Sequence, residues 1–109
     1  MVRSKSEAMI DAALYARKIP FRYECALQLG SETIYPDFTI RHPSTGKIYY
    51  WEHFGRMDDP GYLRKTFLKQ RLYATHEILP TRQLITTFET EKQPLNPAIV
   101  EETIEFYFR

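Results

Sequence analysis

The feature that most constrains this chain is a turn between two β-forming runs. His42-Pro43-Ser44-Thr45-Gly46-Lys47 is rich in turn-forming residues. Residues 33–41 precede it and residues 47–54 follow it, both rich in β-branched and aromatic side chains. The two runs are expected to pair as a hairpin. Pro36-Asp37 interrupts the first run, which marks an edge or an irregularity there. Pairing about the turn brings Asp37 roughly opposite Glu52, a carboxylate set among aromatics in Tyr49-Tyr50-Trp51-Glu52-His53-Phe54.

The other elements follow from local signals. Ser4-Lys5-Ser6-Glu7 has capping-box spacing, predicting a helix over about 5–18 that Pro20 ends. Ile10, Ala13 and Leu14 share one stripe of it. Residues 21–29 alternate, with Phe21, Tyr23, Cys25, Leu27 and Leu29 on one side, which predicts one half-buried strand and places Cys25 in the core. Asp58-Asp59-Pro60 opens a helix to about 77. Gln83 to Phe88 reads as a strand, and Asn96-Pro97 opens a last helix over about 97–107. The expected architecture is α/β in the order α-β-β-β-α-β-α: a single domain over residues 1–109 with a mixed four-stranded sheet flanked by helices.

Composition excludes some classes. A chain of 109 residues, 43% hydrophobic, can build one modest core. Its charged N-terminus has no apolar signal region, and no apolar run reaches the ~20 residues that span a bilayer. The lone Cys25 cannot form an internal disulfide, so a reducing cytoplasm is the expected compartment. A net charge of +1 rules out holding nucleic acid by bulk charge, although residues 64–71 carry Arg64, Lys65, Lys69 and Arg71. His42, His76 and Cys25 lack zinc-ligand spacing.

Two carboxylates side by side repel and raise each other's pKa, so such a pair favours a cation between them. Hard oxygen donors suit Mg²⁺ or Mn²⁺, which can activate water and neutralise charge on a phosphodiester.

The element order, with "YPDFTI" on one strand and "YYWEHFG" on the next, resembles the PD-(D/E)xK, or restriction-endonuclease-like, nucleases over roughly residues 4–90. The likeness is strongest to small phage and bacterial members. It implies a restriction-endonuclease-like core and an Mg²⁺-dependent endodeoxyribonuclease acting on DNA. It implies Asp37 and Glu52 as metal ligands, the backbone carbonyl of His53 as a third, and Glu7 as the acid that many members carry on the first helix. The family's lysine belongs at position 54, where this chain has Phe54. Some members move that lysine to the following helix.

The helical wheel offers a replacement. With Tyr62 at 0°, Lys69 falls near −20°, Tyr73 near +20° and Thr66 near +40°, at about 100° per residue, while Arg64 and Arg71 lie opposite. Lys69 is thus in the inward sector, either snorkelling or meeting acids, and it is the candidate for the migrated lysine, with Lys65 second. Leu63 and Phe67 flank one edge of the inward stripe, Leu68 and Leu72 the other. Glu7 can equally be a capping-box residue, and Glu24 a solvated or paired one. His53 points to the face opposite Glu52, as a packed, hydrogen-bonded histidine. The alternative function is a nuclease-like module without catalysis that binds nucleic acid or a protein. So short a domain has little surface for long DNA sites, so a homodimer or a larger parent protein is also expected.

Overall fold

Ser4 begins the first helix as its capping-box spacing requires. In the computed structural model, which describes residues 2–109, its hydroxyl accepts the Glu7 N–H at 3.1 Å and starts α1 (Lys5–Ala16). Ile10 and Leu14 are the buried residues of α1. The chain turns through Lys18, at a positive φ of 57°, into β1 (Phe21–Tyr23).

The single strand expected over 21–29 is in fact two. Glu24 adopts a φ of 50°, in the left-handed region. The chain leaves the main sheet there and continues as β2 (Leu27–Leu29), which forms a separate hairpin with β3 (Glu32–Ile34). Phe21 and Tyr23 therefore pack in one core and Leu27 and Leu29 in another, despite their unbroken alternation. Cys25, in the break, is only half-buried rather than core. Gly30 turns this hairpin with φ 60°, and a β-carbon there would meet the His76 ring at 3.0 Å.

The run expected over 33–41 also divides, at Tyr35-Pro36-Asp37, into β3 and β4 (Phe38–Arg41). β4 pairs antiparallel with β5 (Ile48–Phe54) in the expected hairpin, Phe38 opposite Trp51 and Arg41 opposite Ile48. The turn is held by the His42 ring, whose Nδ1 accepts the N–H groups of Ser44 and Thr45. After β5 come α2 (Pro60–Thr75), capped by Asp59, then β6 (Leu84–Phe88) and α3 (Pro97–Phe108), capped by Asn96. The observed order is α-β-β-β-β-β-α-β-α. The main sheet is four-stranded and mixed, β1-β4-β5-β6, with β6 parallel to β5 as a helical crossover demands.

Alternation along β5 builds two cores. Trp51 joins Phe38, Ile40 and Ile85 against Ile10 and Leu14 of α1 and Val100, Ile104 and Phe108 of α3. Arg17 ties those two helices by ion pairs to Glu101 (2.7 Å) and Glu105 (2.9 Å). On the other face, Tyr73 of α2 packs with Leu29, Ile78 and Leu84, with Tyr50 beside them. Glu52 and Phe54 share the parity of Tyr50 and therefore lie under α2. No helix of the described residues is long and apolar enough to cross a membrane.

Candidate metal centre

Pro36 creates the local geometry. Continued by two residues, the β4–β5 register sets Pro36 against His53. A proline has no N–H, so the ladder cannot go on. Asp37 fills part of the gap: its Oδ2 accepts the His53 N–H at 2.7 Å. The His53 carbonyl lies on the same edge of β5, facing the position where Pro36 has no donor to offer.

Glu52 is next in line and only 2% exposed. Its Oε2 is met by two groups of α2, one turn apart: Lys69 Nζ at 2.8 Å and the Tyr73 hydroxyl, which donates at 2.5 Å. Lys69 sits where the helical wheel put it, turned inward with Tyr73 and Thr66, while Arg64 and Arg71 face solvent. Glu7, Asp37, Glu52, Lys65 and Lys69 line one pocket of about 210 Å³, with Phe54 in its wall.

The electrostatics are those of a site short of positive charge. Burial, then the neighbouring Glu52 charge, pushes the Asp37 pKa up to about 7, although the His53 N–H and Lys69 act against the rise. Burial also raises the Glu52 pKa, opposed by Lys69, Tyr73 and the Asp37 backbone N–H. Lys69 pairs with Glu52, while the half-buried Asp37 has no ion-pair partner among the described residues, leaving negative charge that a cation would neutralise.

The remaining candidates divide. Glu7 reaches the pocket from α1, but its Oε1 accepts the Tyr23 hydroxyl (2.6 Å) and the Arg3 N–H (3.3 Å). Glu24 pairs with Arg3 at 3.2 Å and is not among the residues lining the pocket. Phe54 is 4% exposed and stacks on Phe88 with ring centres 5.5 Å apart, so the family's lysine position is filled by an aromatic contact. Lys65 lines the pocket without an ion pair among the described residues.

The His53 ring points away from Glu52 into a polar chain that sequence reasoning missed. Nδ1 lies 2.8 Å from the Thr87 hydroxyl and Nε2 2.5 Å from Glu89 Oε1. Thr87 also accepts the Trp51 indole N–H at 3.0 Å, and Ser6 of α1 donates to Glu89. Glu89 lies just past the end of β6. Its alignment with His53 comes from the parallel β5–β6 register, which a local pattern does not encode.

The chain matches no protein-family model, no curated protein and no solved structure. Among the described residues, no three His, Cys, Asp or Glu side chains form a group that could hold a metal ion. The carboxylates of Glu7, Asp37 and Glu52 line one pocket together with His53. That set fits Mg²⁺ or Mn²⁺, which commonly take one or two carboxylates and complete their shell with water and substrate phosphate.

Proposed function

We propose that this protein is a metal-dependent nuclease that hydrolyses phosphodiester bonds of DNA, of the PD-(D/E)xK type. The observation that carries the reading is the triad of Asp37, Glu52 and Lys69 around one pocket, with Lys69 Nζ 2.8 Å from Glu52. The charges come from β5, α2 and the segment just before β4 and are all at least partly buried, an arrangement that costs stability and marks a candidate functional site.

A bound Mg²⁺ or Mn²⁺ would supply an activated water and neutralise charge on the phosphodiester. Asp37 and Glu52 would hold it, Asp37 kept in place by the His53 N–H. Lys69, anchored on a helix, brings an ammonium with three donors to the pocket, suited to orienting a water or steadying an anionic oxygen. Glu7, at the rim, adds negative charge that favours the cation and leaves Tyr23 to fix its position.

A second reading, a nuclease-like module that binds nucleic acid or protein without cleaving, has one specific observation behind it: Phe54 and its stack on Phe88 fill the lysine position. Incubation with plasmid and with circular single-stranded DNA, in Mg²⁺ or Mn²⁺ and in EDTA, separates the two. Cleavage that needs the metal and is lost in Asp37→Ala supports the nuclease. Binding without cleavage in any metal supports the module.

A further inference from the structure

The outer face of α2 is unlike any other helix surface of the protein. Its sequence from Pro60 to Thr75 contains Arg64, Lys65, Lys69 and Arg71 and no acid. Lys69 is taken by Glu52, but Arg64, Lys65 and Arg71 form no ion pair among the described residues; other cations are unpaired too, but no other helix carries three of them. Leu68 stands between these cations and Phe67 and Leu63 beside Arg71, exposed by 58, 57 and 41%. They flank the inward stripe as the helical wheel has them, and they stay exposed because α2 buries only a narrow sector around Thr66 and Tyr73.

The order around the helix matters. From the pocket outward run Lys69, Lys65, Leu68, Arg64, Arg71 and Phe67, spread over about 200° by the 100° step. Lys65 belongs both to the pocket and to this surface. Arg71 lies over the Phe67 ring, its guanidinium 5.8 Å from the ring centre, which steadies an otherwise free aromatic.

We propose that this face of α2 is a docking track for single-stranded nucleic acid leading into the Asp37–Glu52 pocket, an inference that rests on reading the pocket as a nuclease site. Cations without acidic partners fit phosphates. Exposed aromatic and aliphatic side chains among them fit the faces of unpaired bases, which a duplex keeps stacked inside. A duplex backbone would use the cations and leave Phe67 and Leu68 uncovered.

The test is binding of a fluorescein-labelled oligothymidylate by the full chain, read by anisotropy in EDTA so that no cleavage intervenes. Phe67→Ala and the pair Arg64→Gln with Arg71→Gln are solvent-facing and favourable to helix, and their melting curves report that they fold. Phe67→Ala is expected to weaken single-strand binding roughly tenfold and to leave duplex binding unchanged. The double variant is expected to reduce the slope of log K against log salt by about 1.4. Undiminished binding in Phe67→Ala, a duplex bound as tightly as the single strand, no oligonucleotide binding, preference for anionic vesicles, or a dimer that Phe67→Ala dissociates would each overturn the track. Phe67-dependent binding without metal-dependent cleavage keeps the track and removes the nuclease. Cleavage indifferent to Phe67 does the reverse.

Discussion

The carboxylate of Asp37 accepts the backbone N–H of His53 at 2.7 Å, and so substitutes a side chain for the backbone pairing that ends at Pro36. The hairpin is thus finished by the same group that faces Glu52. Structure and candidate chemistry meet in one residue, and substitutions there separate them. Asparagine keeps an oxygen for the His53 N–H and removes the charge. Alanine removes both. Asp37→Asn is expected to be more stable than Asp37→Ala by about 1–3 kcal/mol, the cost of leaving a buried donor unmade, measured by urea unfolding in EDTA. Equal stability would mean that water serves His53 as well.

The raised Asp37 pKa sets a pH dependence whose sign is fixed. The folded state holds a proton up to about pH 7 that the unfolded chain has given up near 3.8. The folded state binds more protons in that window, so this group's contribution is full at low pH and is lost as pH rises through 7. Glu52, also raised, acts in the same direction. The contribution of Asp37 to the unfolding free energy of the metal-free protein is expected to fall between about pH 4 and 7 by up to a few kcal/mol, and Asp37→Asn is expected to flatten part of that fall. A rise over the same range would contradict the burial of both acids.

Lys69 is the only ion-pair partner of Glu52 among the described residues. Lys69→Ala strands a buried carboxylate beside Asp37, and since Lys69 is itself 30% exposed the variant is expected to lose roughly 1–3 kcal/mol at pH 8. Much of the loss should return near pH 5.5, where the stranded acids take up protons. The fold, judged by circular dichroism, should survive, while any metal-dependent cleavage should fall sharply. Full activity in this variant would remove Lys69 from the mechanism.

Glu89 joins three elements through Ser6 of α1 and His53 of β5. Burial pushes its pKa up, but the hydrogen bonds from Ser6 and His53 outweigh that and hold it below the usual carboxylate range. Its contribution is present above the unfolded value and lost as pH falls through the folded one. Glu89→Ala is expected to cost about 1–3 kcal/mol at pH 7 and progressively less in acid, read from urea midpoints across pH. A pH-independent loss would mean that packing, not the charge, carries the contact.

Where the controlling interaction is local, the sequence was readable. The turn at His42–Lys47 set the β4–β5 register, and with it Asp37 near Glu52. The 100° step turned Lys69 inward. The break at Glu24 was hidden because alternation runs straight through it, and one positive φ sends the same pattern into two different cores. The exposure of Phe67 and Leu68 was hidden too, since a helical wheel gives angles and not the width of what covers them. The Ser6–Glu89–His53 chain depends on contacts between distant segments, for which neither spacing nor periodicity leaves a trace.

Asp37 and Glu52 are proposed to form a divalent-cation site together. Calorimetric titration of Mn²⁺ into the purified protein near pH 8, where both acids are most ionised, tests it most directly. One saturable site is expected, lost in Asp37→Asn although that variant stays folded. Absence of binding in the wild type, or binding that survives in Asp37→Asn, would contradict it.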